Sequence, residues 1–153
     1  MKICVFSDPH GGYRNMIDAA EKELPDLCFF LGDGERDLAK FRERFPKLTV
    51  LSVRGNCDLT SDDPIFLYCV LDGAGIFATH GHRYYVKTDP GYYELRTAAA
   101  SYGANVALFG HTHEAYLRED DGMLIMNPGT IGRHRYGILE ILNGHVSARL
   151  KVQ

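Results

Sequence analysis

Apolar residues along this chain fall into short blocks whose period changes from block to block. Lys2–Ser7 (KICVFS) is a near-continuous apolar run of strand length. From Gly12 to Pro25 the positions Met16, Ile17, Ala20 and Leu24 take helical spacing, and Pro25 stops the pattern. Residues 26–32 (DLCFFLG) form a second strand-like run. Residues 35–46 then read as a helix that buries Leu38, Phe41 and Phe45 and ends at Pro46. Residues 48–55 (LTVLSVRG) supply a third strand. The first half is therefore βαβαβ, which predicts a parallel sheet.

The second half changes character. Residues 65–81 read as a hairpin turned by Asp72-Gly73, and residues 90–103 as a helix with Pro90 near its start and Gly103 near its end. Residues 104–111 form another buried strand. Four further strand-like runs follow, at 114–120, 122–129, 136–144 and 145–153, with turn signals at Asp121-Gly122 and Asn143-Gly144. No repeat, low-complexity stretch or linker divides the chain, so residues 1–153 are expected to be one domain. An α/β unit with this much antiparallel strand predicts two sheets packed face to face with helices outside.

Five of the strand-like runs lead directly into polar residues. The first reaches Asp8 and His10, the second Asp33, and the third Asn56 and Asp58. The run 75–79 reaches His80 and His82, and the run 105–110 reaches His111 and His113. Loops at strand carboxyl ends converge on a crevice in α/β sheets. Four of the five loops carry their polar residues two positions apart. In extended chain such a pair points to one side, so each loop is expected to offer two groups to one target. Taken singly, each motif reads as an ordinary turn. Together they place five of the seven histidines beside Asp8, Asp33 and Asn56.

Composition narrows the chemistry. Apolar residues make up 45% of the 153 and charged ones 24%, an ordinary globular balance. The formal net charge is −3, so nothing in the overall electrostatics favours nucleic acid or an anionic membrane. No apolar run approaches the roughly 20 residues that span a bilayer. The opening residues lack a secretory pattern, because Asp8 and His10 interrupt the first apolar stretch. Cys4, Cys28 and Cys69 lie inside apolar runs, where reduced buried thiols are expected. These features predict a cytoplasmic protein without disulfides.

The strand-end residues are imidazoles, carboxylates and one amide, a donor set suited to Mn, Fe, Zn or Co rather than to a thiolate site. Seven candidates (Asp8, His10, Asp33, Asn56, His80, His111 and His113) exceed what one four-coordinate ion needs. They suit two ions sharing a carboxylate, with Asp33 the natural bridge. Paired metals about 3.5–4 Å apart clamp the attacking and leaving oxygens in phosphoryl chemistry.

The ordered series Asp8-x-His10, Gly32-Asp33, Gly55-Asn56, His80-Gly81-His82 and Gly110-His111-Thr112-His113 resembles the calcineurin-like metallophosphoesterases, from residue 4 to the Asn127–Thr130 turn (NPGT). Within that family it looks most like the small prokaryotic phosphodiesterases. The resemblance implies a four-layer α/β/β/α sandwich of two mixed sheets with flanking helices. It also implies two divalent ions, Mn first, with Zn, Fe, Ni, Co and Mg as alternatives. Carried over by position, Asp8, His10, Asp33 and His113 would hold one ion, and Asp33, Asn56, His80 and His111 the other. A water held by the metals would attack phosphorus, Asn56 would also donate to the phosphate, and His82 would stand on the substrate side. Homo-oligomers are common among such relatives.

One position departs from the family. Many relatives carry histidine directly after the asparagine, as general acid for the leaving oxygen, and here that place holds Cys57. A thiol of ordinary pKa near 8.5 is a poor proton donor to an alkoxide. The departure favours a small phosphodiester with a good leaving group as substrate. Three rival readings are a phosphomonoesterase, a binding scaffold on the same fold (a retromer subunit resembles these enzymes), and a cysteine-dependent enzyme.

Overall fold

The computed structural model describes residues 1–153. Ten strands, three helices and two single 3₁₀ turns follow one another along the chain. They are β1 (Lys2–Phe6), α1 (Tyr13–Glu23), β2 (Leu27–Phe30), α2 (Glu35–Arg44), β3 (Thr49–Ser52), β4 (Phe66–Leu71) and β5 (Ala74–Thr79). Then come α3 (Tyr93–Ser101), β6 (Val106–Leu108), β7 (Tyr116–Asp120), β8 (Met123–Asn127), β9 (Arg135–Leu142) and β10 (His145–Val152), with 3₁₀ turns at His82–Tyr84 and Ile131–Arg133.

The strands form two mixed five-stranded sheets, ordered β10-β9-β1-β2-β3 and β4-β5-β6-β8-β7. In the first sheet β1, β2 and β3 run parallel, as the βαβαβ pattern requires, and β9 returns antiparallel to β1. In the second, β5, β6 and β8 run parallel to one another, and hairpins add β4 and β7 antiparallel at the edges. The three turn signals at Asp72-Gly73, Asp121-Gly122 and Asn143-Gly144 all join antiparallel neighbours.

Strand periodicity assigns each residue its layer. In β1, Ile3 and Val5 enter the core between the sheets, where they meet Ile76, Ala78 and Leu108 of the other sheet. Cys4 and Phe6 face the opposite way and pack with Met16, Ala19, Leu38 and Phe41 of α1 and α2. Phe77 and Ala107 turn outward against Leu95 and Ala99 of α3. Both faces of the central strands are covered, which is why their sequences read as unbroken apolar runs. The resulting order of layers is α/β/β/α.

Three details differ from the sequence pattern. Leu24, spaced to belong to the buried face of α1, is 78% exposed. The helix ends at Glu23, because a residue before proline avoids helical backbone, and Leu24 turns left-handed with φ +50°. Glu23 takes the buried place instead, hydrogen-bonded by Tyr136, Lys2 and Lys151. Cys69 is half-buried rather than buried, since β4 is an edge strand. All four cysteines are free thiols.

Candidate metal centre

The carboxyl ends of β1, β2, β3, β5 and β6 present their loops along one side of the two sheets. Six donors there form two compact groups, Asp8–His10–His113 and Asp33–His80–His111, with the ligand atoms of each group within 4.8 Å of one another. In the first, Asp8 Oδ1 lies 3.1 Å from His113 Nε2 and 3.8 Å from His10 Nε2, and the two Nε2 atoms are 3.1 Å apart. In the second, His80 Nε2 lies 3.2 Å from both Asp33 Oδ2 and His111 Nδ1.

Each group draws donors from both sheets. Asp8, His10 and Asp33 follow strands of the first sheet, whereas His80, His111 and His113 follow strands of the second. The loops also divide differently from the extended-chain expectation. Asp8 and His10 do reach one group, but His111 and His113 go to different groups, and His82 joins neither. The reason is backbone conformation. Asp8, His10, Asp33, His111 and His113 all have left-handed φ, between +45° and +66°. Aspartate and histidine are among the non-glycine residues enriched in that region. Adjacent glycines permit the close approach that these loops make. A Cβ on Gly55 would sit 2.0 Å from Asp33 Oδ1, and one on Gly110 would sit 2.0 Å from Ser7 Oγ.

Several surrounding contacts fix the donors. Ser7 Oγ donates to Asp8 Oδ2 at 2.6 Å, and the His111 N–H donates to the same oxygen at 3.1 Å. His80 Nδ1 lies 2.7 Å from the Leu31 carbonyl, which orients Nε2 into the site. Asn127 binds the Gly110 carbonyl and Thr112 Oγ1, and Thr130 Oγ1 donates to the Asp8 carbonyl. The 127–130 turn thus braces loops from both sheets.

Asp58, one of the polar residues at the strand ends, has a backbone role. Its buried carboxylate accepts from the N–H groups of Asp33, Gly34, Glu35 and Gly55 at 2.7–2.9 Å. It caps α2 from outside and ties the Asp33 loop to the Asn56 loop. No spacing rule reveals this, because the partner helix begins 23 residues earlier.

The remaining candidates lie at the edge. Asn56 is exposed, its amide 3.4 Å from Cys57 Sγ. His82 is half-buried, its ring centroid 5.5 Å from that of His80, and its Nδ1 is buried without a partner. Asp33 falls within the second group alone by proximity.

Electrostatics suit this set to cations. Burial would raise the Asp33 carboxyl, but His80 and then the Cys57 N–H outweigh burial and hold it well below the usual carboxylate range. Burial, followed by the charges of His80 and Lys87, lowers His111 to about 4, so its imidazole is neutral at pH 7. Burial and the carboxylates of Asp33, Asp58 and Asp8 raise the Cys57 thiol, which keeps it protonated. A decisive observation is Asp8 Oδ1, fully buried and lacking any hydrogen-bond donor while two imidazole nitrogens face it. Two carboxylates and four imidazoles converging in this way fit divalent ions.

Comparison with known proteins agrees with this chemistry. The family model described as the calcineurin-like phosphoesterase superfamily domain matches residues 1–144. Phosphodiesterase MJ0936 of Methanocaldococcus jannaschii is 34% identical over 90% of this chain and 89% of its own length. A predicted phosphoesterase of Streptococcus pneumoniae TIGR4 superposes with a TM-score of 0.82 at 25% identity, covering 99% of this chain and 88% of that one. Wild-type Vps29 of Entamoeba histolytica, complexed with zinc, shares the fold at a TM-score of 0.76 and 17% identity over 99% of both chains.

Proposed function

Since the chain belongs to the calcineurin-like phosphoesterase superfamily, we propose that it is a divalent-metal-dependent phosphodiesterase acting on a small diester. The observation that carries this reading is the pair of adjoining donor groups around Asp8 and Asp33, combined with a cysteine where an imidazole acid would stand. Asp8, His10 and His113 would hold one ion. Asp33, His80 and His111 would hold the other, with Asn56 completing that set and Asp33 shared. Bound divalent ions would supply an activated water and offset charge on the phosphoryl oxygens.

The chain's own residues do the rest. The Cys57 N–H fixes Asp33 Oδ1, and Ser7 with the His111 N–H fixes Asp8 Oδ2. Asn56, exposed and uncommitted to any backbone group, is free to donate to a phosphoryl oxygen. His82 stands on the substrate side of His80. With no imidazole at position 57, the leaving oxygen receives no proton there, which favours leaving groups stable as anions. Of the candidate metals, Mn is favoured by the family resemblance.

The test is turnover of bis-p-nitrophenyl phosphate against p-nitrophenyl phosphate by protein loaded separately with Mn, Ni, Co, Zn or Mg. Faster diester cleavage is expected. Preference for the monoester would overturn the assignment, and metal binding without turnover of either would point to a scaffold.

A further inference from the structure

Two clefts flank the donor groups, and charge distinguishes them. The cleft beside α2, about 380 Å³, is walled by Asp33, Glu35, Asp37 and Asp58 with only Arg36 in opposition. The other, about 480 Å³, lies between the segment after His82 and the loop that carries His111 and His113. Its wall includes Lys87, Thr88, Tyr92, Thr112 and Glu114.

This second cleft is firmly built. Tyr92 packs against Phe109 and Tyr116, with ring centroids 4.7 and 4.9 Å apart. Thr112 accepts from Asn127 at 2.9 Å and from the Glu114 N–H at 3.2 Å. The Asp89 carboxylate accepts from the N–H groups of Gly91 and Tyr93 and so holds the entry to α3. Thr112 and Glu114 bring into its wall the loop that carries His111 and His113, a donor of each group.

Lys87 is the only cation in this wall, is exposed, and has no carboxylate within 4.0 Å. It shares this wall with Thr112, the residue between His111 and His113 in the chain. Glu114, also exposed, is the one carboxylate in the wall and would repel an anion at its own end. Volume falls within the roughly 300–1,000 Å³ typical of small-molecule sites.

We propose that this cleft seats one organic group of the diester, and that Lys87 makes the enzyme prefer diesters whose seated group carries a second anion. The inference rests on the phosphodiesterase reading and names its substrate class. In the α2 cleft, where Asp33 and Asp58 are already engaged, an anionic group meets the carboxylates of Glu35 and Asp37 opposed by Arg36, whereas here it meets one unpaired ammonium.

The experiment compares two chromogenic diesters with the Mn-loaded protein, thymidine 5′-(p-nitrophenyl phosphate) and the same compound bearing a 3′-phosphate. Wild type should favour the 3′-phosphorylated compound by at least fivefold in kcat/KM, chiefly through KM, and the ratio should shrink as salt rises. Lys87→Gln should bring the ratio near one, and Lys87→Arg should restore it. An equal ratio in wild type and Lys87→Gln, or no preference in wild type, overturns the role of Lys87 while leaving the phosphodiesterase reading intact. Failure of wild type to cleave either compound or bis-p-nitrophenyl phosphate overturns both.

Discussion

The main-chain N–H of Cys57 donates to Asp33 Oδ1 at 2.8 Å, so this position serves the site through its backbone while its thiol stays protonated. Any side chain that leaves the turn intact preserves that hydrogen bond.

Cys57→Ala is accordingly expected to keep diesterase activity within about threefold of wild type, because no step uses the thiol. Cys57→His should raise the ratio of monoester to diester turnover by at least tenfold, since a positioned general acid contributes about 10²–10⁴-fold. Steady-state kinetics on the two p-nitrophenyl substrates decide both. A collapse of diester turnover in Cys57→Ala would return the thiol to the mechanism.

Asp33→Asn should abolish turnover to below about 1% of wild type and lower bound metal, measured by elemental analysis after gel filtration. The carboxylate that is held ionised beside His80 would be replaced by a neutral amide of nearly the same shape. Normal turnover by this variant would be incompatible with a metal site built on Asp33.

Metal removal should lower thermal stability, because a ligand that binds only the folded chain stabilises it by mass action. At 100 times the dissociation constant this amounts to about 2.7 kcal/mol. A chelator should therefore shift the unfolding midpoint downward and Mn should restore it, whereas Asp33→Asn should show a reduced shift.

Asp58→Ala would strip four backbone N–H groups of their acceptor. Hydrogen bonds to a charged group contribute about 1.5–3 kcal/mol each, and water would recover part of the loss. A net loss of about 3 kcal/mol in chemical denaturation is expected, together with weaker metal binding. A change below 1 kcal/mol would show that the four bonds carry little.

Glu23 gives the fold a pH dependence far from the site. Burial alone would raise its carboxyl, but hydrogen bonds from Lys151, Tyr136 and Lys2 outweigh it and lower the pKa from 4.5 to about 2. A depressed carboxyl stabilises the fold above the unfolded value and loses that contribution as pH falls from 4.5 toward 2. Glu23→Gln should then be less stable than wild type by about 2–3 kcal/mol at pH 7. Denaturation at several pH values should show the gap narrowing below pH 4.5.

Much of this architecture is legible in the residues themselves. Central strands such as Lys2–Phe6 and Leu27–Phe30 are covered on both faces, so they stand out as apolar runs, and Asp-Gly or Asn-Gly pairs marked the hairpins. The donor residues stood out because the strands end beside them. Their division into groups follows the set that the family resemblance implies, whereas spacing along an extended chain would pair His111 with His113 and misses the left-handed backbone at Asp8, Asp33, His111 and His113. The work of Asp58 was hidden for another reason. Its partners are main-chain N–H groups, and these carry no residue-specific signature.

Drawing each donor group from both sheets also sets the order in which the molecule can become competent. A nascent chain that has emerged only through Gly110 already carries Asp8, His10, Asp33 and His80 but completes neither group, because each waits for His111 or His113. Even then β1, the middle strand of its sheet, lacks its neighbour β9, which begins at Arg135. Contacts of such long sequence separation form slowly. A complete donor set is therefore among the last features the growing protein acquires.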